Sequence, residues 1–416
     1  MFDLKENELR ELKKLYIDLH KNPEISFQEF ETSKKMKAEL EALNPDEIYS
    51  GFGVTGIAAV VKNGEGPVIM LRTDIDALPI DEMTELEYKS EKSTTDWFGN
   101  DVKVMHACGH DMHMTVFTGT AKKLIEHKDK WKGTLILLCQ PAEELGKGAK
   151  AMIDNGLFNK VPVPDYLLAY HIWPEINSGE VGFTPGSAWA GVDTLDLIVY
   201  GEGGHGAVPQ RAKDPIVLAS QIVLALQTIV SREVAPFEPA VVTVGSIRGG
   251  SKHNIIPESV EMKLTLRTYS DEVRTKIIES IKRISENLAR AAGISEDKLP
   301  ELKGLENYHP TVVNDPKLVK TITGSFAETL GKEKVKNVPP VTVGEDFEIF
   351  RREKPEIKSA IFWLGVDNLS CVNLPEELKG KTPPLHSPYL APDPDKTIVT
   401  GVKAMTTAVI DLFAKG

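Results

Sequence analysis

The chain has 416 residues, 41% of them hydrophobic and 26% charged, with a formal net charge of −12. That length exceeds what one core usually organises, so two domains are expected. The negative balance argues against nucleic-acid and anionic-membrane partners, and the apolar content is ordinary for a soluble globular protein.

Residues 1–19 read as charged and amphipathic, so no signal peptide is expected. No stretch approaches the roughly 20 apolar residues of a membrane span. Three cysteines, Cys108, Cys139 and Cys371, make no disulfide framework and fit a reducing cytoplasm. Leu9, Leu12, Leu15 and Leu19 recur at helical spacing and predict a helix over 5–20, broken by the segment containing Pro23. Ser26, with Glu29 three residues on, predicts an N-cap and capping box for a second helix. Residues 55–61 and 67–71 read as strands joined by a glycine-containing turn. The second runs into Asp74 and Asp76, two apart at the end of a buried strand, where α/β sheets carry ligands. Capping of the following turn is the other reading of that pair.

Residues 104–113 crowd His106, Cys108, His110, Asp111 and His113 into one stretch. Cys108 and His110 stand two apart, so an extended or tightly turned backbone points both the same way, and Gly109 leaves room for the bend. A soft sulfur and a borderline nitrogen suit Zn²⁺ or a similar first-row divalent ion. A helix N-terminus without any ligand is the alternative, and a helix is predicted over 114–127. Residues 133–139 form a buried strand leading to Glu143 and Glu144. Adjacent carboxylates repel unless a cation or proton lies between them. One could bind metal while the other acts as a base; a solvated loop is the bland alternative. The strand 166–171 then closes on His171. Acidic or imidazole groups thus follow one apolar strand after another, which favours a convergent site.

Residues 186–309 change pattern to β-α-β-β-α-β, the ferredoxin-like split unit, with helices over 213–232 and 271–292. Within it, His205 stands in a glycine-rich turn, and His253-Asn254 precede a β-branched step. From residue 310 the α/β pattern resumes, with helices over 316–330 and 396–413 and a strand over 358–365. The acidic run through Glu345 and Asp346 reads as helix capping, and His386 stands in a proline-stiffened loop.

Taken in order, RTDIDALPI, MHACGHDMH, QPAEE, YHIWP, GGHGAVP, SKHNIIPE, VGEDF and LHSPYLAPD resemble the M20 metallopeptidase family. The likeness is to its amidohydrolase branch, which includes hippurate hydrolase, N-acyl-amino-acid deacetylases and auxin-conjugate hydrolases. The fold class implied is α/β, a zinc-exopeptidase-like catalytic domain with an inserted ferredoxin-like α+β satellite domain that dimerises. The boundaries expected are 1–185 and 310–416 for the catalytic domain and 186–309 for the insertion.

The resemblance also implies two divalent metal ions per subunit, Zn²⁺, Mn²⁺, Co²⁺ or Ni²⁺. Cys108, His110, Glu144, His171 and His386 would be their ligands. Glu143 would be the general base, Asp76 a carboxylate orienting a ligand, and His205 a group reaching the reacting carbonyl from a partner subunit. Asn254 and Arg267 would contact the substrate, Arg267 as a clamp on its carboxylate. The implied reaction splits an N-acyl amino acid, with short peptides as the alternative substrate, in a cytoplasmic homodimer or homotetramer. Asp74 stands where broader family members have His-x-Asp, and Met112 and Met114 where many have smaller or polar residues. His106 and His113 are expected to serve hydrogen bonding or structure. A Cys108 nucleophile paired with a histidine is the competing mechanism.

Overall fold

The computed structural model describes residues 2–415. They form two compact units: Ser187–Val312 with Pro340–Glu345 make one, and the remaining described residues make the other.

The larger unit is built on an eight-stranded sheet. Its strands are β1 (Glu47–Phe52), β2 (Gly56–Asn63), β3 (Val68–Asp74), β4 (Gly133–Gln140), β5 (Tyr166–Trp173), β6 (Val181–Phe183), β7 (Val335–Asn337) and β8 (Lys358–Gly365). Their order across the sheet is β1-β2-β4-β3-β5-β8-β6-β7. The central four, β4, β3, β5 and β8, run parallel. Near-continuous apolar runs such as GTLILLC in β4 are what strands buried on both faces require. β2 and β3, adjacent in sequence, are not partners, because β4 pairs antiparallel with β2 and parallel with β3.

The helices α1 (Glu6–Lys21), α2 (Phe30–Glu41), α3 (His110–Glu126), α4 (Pro316–Leu330) and α5 (Pro394–Lys415) contribute apolar faces to one core with the sheet. On α1 that face is Leu12, Leu15, Tyr16 and Leu19, and on α5 it includes Ile398, Val402, Met405 and Val409. The expected capping box at Ser26 does not form. α2 starts at Phe30 with Glu29 at its cap position. The Ser26 hydroxyl donates instead to Asp76 Oδ2 at 2.6 Å, and the Glu29 carboxylate accepts from Phe27 N and Thr55 Oγ1.

In the second unit, strands Gly191–Tyr200, Ala240–Gly249, Ser259–Thr268 and Glu301–Lys303 alternate with helices Pro215–Thr228 and Asp271–Ala291 as the sequence pattern predicts. The third of these strands pairs antiparallel with the first and second, and the fourth flanks the first, the antiparallel order of a split βαβ unit. Its core gathers Leu195, Leu197, Leu218, Ile222, Met262, Leu264, Ile277 and Ile281.

The expectation that nothing approaches a membrane span needs correcting. Pro215–Glu233 and Pro394–Lys415 are long and apolar enough by length and composition. Each has a packing explanation. Leu218, Ile222 and Leu226 of the first enter the core of the second unit, and the other is α5, mostly buried in the large one.

Candidate metal centre

Parallel strands place their carboxyl ends, and the loops that follow, along one edge of a sheet, where ligands bind in open α/β folds. β3 ends at Asp74 directly beside Gln140, the last residue of β4, and His171 of β5 lies opposite Trp363 of β8. Between β3 and β4 the chain enters α3 through Cys108-Gly109-His110. Gly109 is the cap residue, with φ +77°. A Cβ there would also collide with Ile172 Cδ1, so glycine favours the turn that brings Cys108 and His110 to one side.

The side chains converge as the motifs suggested. Cys108, His110 and His171 bring ligand atoms within 4.8 Å of one another, as do Cys108, Glu144 and His386, and His110, Glu143 and Glu144. Cys108 Sγ lies 3.5 Å from His171 Nε2. His110 Nε2 is 3.7 Å from Glu144 Oε1 and 3.8 Å from Glu143 Oε2, and His386 Nε2 is 3.5 Å from Glu144 Oε2. His386 adopts φ +64° and donates its amide to Ala107 O at 2.8 Å, which ties its loop to the Cys108 turn.

Backbone carbonyls assign the tautomers. His110 Nδ1 donates to Asp76 O at 2.9 Å, and His171 Nδ1 donates to Ile172 O at 2.7 Å. Both rings therefore turn Nε2 into the cluster, the nitrogen that a metal would take in exchange for any proton on it. His113 is held differently. Ile172 N donates to its Nε2 at 2.8 Å, so its Nδ1 carries the proton and donates to Asp74 Oδ1 at 2.7 Å.

Asp74 Oδ2 also receives Arg72 Nη1 at 2.7 Å. Asp74 is thus engaged by an arginine and a histidine. Its carboxyl, despite burial, is held well below the usual range by His110, His113 and Arg72. Asp76 is engaged through one oxygen: its Oδ2 accepts from Ser26 Oγ and, at 3.0 Å, from Glu144 N, while its Oδ1 lies 3.3 Å from His110 Nδ1.

The electrostatics call for a cation. Burial would hold the His110 ring neutral, but Asp74, Asp76 and Glu144 outweigh it and raise its pKa to about 10. Burial pushes Glu144 up to about 8, with His110 opposing and Asp76 adding. Burial, followed by Glu144, Glu143 and Asp74, pushes the Cys108 thiol well above its ordinary value. A thiol in that field is a poor nucleophile, which disfavours the cysteine mechanism. His110 Nε2 and Glu144 Oε1 are buried without a hydrogen-bond partner among the described residues. Sulfur, imidazole and carboxylate donors facing one space fit divalent first-row metals.

His205, Asn254 and Arg267 lie in the second unit. His205 pairs with Ile255 on a short ladder, and Gly206 N donates to Asn254 O, so His205 and Asn254 are neighbours. Arg267 donates to Thr342 O, Thr265 Oγ1 and Leu266 O. Sequence reasoning missed the supports beneath the cluster. Asp346, expected as a helix cap, accepts from Gln140 Nε2 at 2.6 Å and Ala149 N at 2.9 Å and lies 3.4 Å from Arg72 Nη2. Its VGEDF motif was the only signal. His106 is buried with neither ring nitrogen hydrogen-bonded among the described residues, so of its two expected roles, hydrogen bonding or structure, the first is not seen.

A parallel sheet edge bearing this donor cluster defines an α/β protein with a candidate divalent-metal centre. Comparison with known proteins supplies the family: residues 70–410 match the model of peptidase family M20/M25/M40, and the chain belongs to that family. It is 35% identical over 351 residues to an N-acetylcysteine deacetylase of Bacillus subtilis, covering 84% of this chain and 87% of that protein. It is 34% identical over 400 residues to thermostable carboxypeptidase 1 of Saccharolobus solfataricus, covering 94% and 93%. A crystal structure of a dinuclear metal-binding M20 peptidase from Bacillus subtilis superposes with a TM-score of 0.77 at 28% identity, covering 99% of each chain. The chain is therefore a metal-dependent hydrolase of amide bonds.

Proposed function

We propose that this enzyme cleaves N-acyl amino acids, N-acetyl and N-benzoyl among them, to a carboxylic acid and a free amino acid. The likeness to a deacetylase of N-acetylcysteine supports the substrate class. The observation that carries the mechanism is the adjacency of Glu143 and Glu144 at one cluster with Cys108, His110, His171 and His386. In this reading Cys108, His110, Glu144, His171 and His386 hold two divalent ions. Zn²⁺, Mn²⁺, Co²⁺ and Ni²⁺ all accept such donors. When bound, such ions lower the pKa of water toward about 7 and neutralise charge developing on the substrate oxygen.

Glu143 takes the proton of the attacking water, and the same proton goes to the nitrogen as the amide C–N bond breaks. That nitrogen then leaves as a neutral amine. A carboxylate can do this only if it is not itself a ligand, hence the split between Glu143 and Glu144. His205 polarises the scissile carbonyl, and Asn254 and Arg267 contact the substrate, the guanidinium facing its carboxylate.

Two further features belong to this reading. The enzyme is a homodimer through the second unit, with a tetramer as the larger alternative, and His205 serves the partner's site. Support comes from Val217 and Leu224, exposed on the helix Pro215–Thr228, and from Ile247 on a strand at the open edge of its sheet. A cytoplasmic setting is consistent with Cys108, Cys139 and Cys371 all being free thiols.

The C-terminal residue of a peptide is itself an N-acyl amino acid, so the likeness to a carboxypeptidase favours short peptides as a second reading. A panel of N-acetyl, N-benzoyl and indole-acetyl amino acids beside dipeptides separates the two. Hydrolysis of the acyl panel, lost with EDTA and restored by Zn²⁺, Mn²⁺ or Co²⁺, is expected. Turnover of dipeptides alone would replace the first reading with the second.

A further inference from the structure

Two non-glycine residues beside the site adopt the left-handed backbone region, Phe27 at φ +63° and Ala142 at φ +50°. Side chains with a Cβ are disfavoured there, so something must hold them. The same atom holds both. Glu29 Oε1 accepts Phe27 N at 2.9 Å and Ala142 N at 2.9 Å, while Glu29 Oε2 accepts Thr55 Oγ1 at 2.7 Å. Glu29 is wholly buried.

We infer that Glu29 is a positioning residue for the turn that carries Glu143 and Glu144. The inference rests on Glu143 being the general base. Ala142 immediately precedes that residue. Its amide is held by Glu29, and its carbonyl accepts Lys147 N at 3.3 Å and Gly148 N at 3.1 Å. On the other side, Glu144 N donates to Asp76 Oδ2, the oxygen that also receives Ser26 Oγ. Glu143 is therefore bracketed by two amides. One is anchored on Glu29 directly, and the other on Asp76, which Ser26 ties to the same segment of chain. Anchored so, the turn aims one carboxylate at the ligand cluster and leaves its neighbour for proton transfer.

Hydrogen-bond capacity explains the residue type. A carboxylate oxygen can accept two N–H donors, and burial with Asp76 nearby raises Glu29 to about 7. A proton on Glu29 belongs on Oε2 against the Thr55 hydroxyl, because both donors to Oε1 are amides. Glutamine reproduces this: its oxygen takes the two amides and its NH₂ group faces Thr55. Alanine leaves both amides without their acceptor, and aspartate is one methylene too short to reach Ala142 from the same backbone.

The test compares Glu29→Ala and Glu29→Gln in the Mn²⁺-loaded full chain, with N-acetyl-L-methionine as substrate and Glu143→Gln as reference. In Glu29→Ala, kcat is expected to fall about 100-fold, the loss typical of a roughly 1 Å misplacement, while KM and bound metal change little. Amide exchange of the peptide covering residues 141–148 speeds up in the same variant. Glu29→Gln restores most of kcat and the slow exchange. If Glu29→Ala does not fold, Glu29→Asp is read by the same two measurements.

Wild-type exchange over 141–148 in Glu29→Ala, or kcat unchanged while Glu143→Gln is inactive, overturns the positioning role. Equal loss in Glu29→Gln and Glu29→Ala also overturns it, since charge rather than anchoring would then matter. Full turnover by Glu143→Gln sinks the base assignment instead, and the exchange measurement still judges the anchor.

Discussion

Cys108 sits among Glu143, Glu144 and Asp74, and its chemistry follows from that company. Burial and these carboxylates raise the thiol's pKa when no metal is bound, and a bound ion would engage its sulfur, so alkylating reagents should find the exposed Cys371 first. With the intact enzyme and limiting iodoacetamide, modification is expected at Cys371 with activity retained, read by peptide mass mapping beside an activity assay. Rapid labelling of Cys108 with parallel loss of turnover would reopen the nucleophile mechanism. Gly109 offers a second check. An alanine there must take a left-handed backbone and displace Ile172. A cost of about 1–3 kcal/mol from overpacking is expected in urea unfolding, with weakened metal binding in equilibrium dialysis. Wild-type stability and affinity would show that the turn tolerates a Cβ.

At the level of elements, α1 is locked to the start of α3 by a buried ionic cluster. His20 Nδ1 meets Asp111 Oδ2 at 2.7 Å and His20 Nε2 meets Glu82 Oε1 at 3.1 Å. Burial would lower the His20 pKa, but the bonds from Asp111 and Glu82 prevail and raise it from 6.5 to about 10. Because the folded value is the higher one, the protonated ring contributes stability fully below about pH 6.5, and this is lost as pH rises toward 10. Wild-type urea midpoints should fall between pH 6 and pH 9.5. His20→Ala leaves two carboxylates buried together, which costs about 3–5 kcal/mol at pH 6, and it removes the His20 share of that pH dependence while the share of His110, also raised to about 10, remains. A variant with an unchanged slope would show that another group governs the window.

The strand ends that carry the candidate ligands are legible in the sequence because a buried strand is a continuous apolar run and a polar residue at its end stands out. The pairing of β4 between β2 and β3 is not, because apolar runs carry no label for their partners. Ser26 and Glu29 match a capping box in spacing, yet both side chains go to Asp76, Thr55 and Ala142, contacts set by the assembled sheet. Asp346 has the sequence position of a cap, yet its partners Gln140 and Ala149 lie about half the chain away.

For the whole molecule, the second unit answers a question of assembly. Leu224 is 74% and Phe237 96% exposed, and the strand Ala240–Gly249 has an open edge. An edge with apolar neighbours is a template for pairing with a second copy. Light scattering should give a dimer or tetramer, and Leu224→Asp with Ile247→Asp should give monomers. Full activity in those monomers would contradict a His205 contribution across subunits.

The most direct measurement of the central claim is metal content and turnover of Glu143→Gln in parallel. With Glu143 as base and Glu144 among the ligands, the variant should bind two ions per chain, as the wild type should, and lose about 10²–10⁴-fold in kcat. A variant that loses an ion while remaining folded would make Glu143 a ligand, and one that keeps both ions and full turnover would remove it from the chemistry.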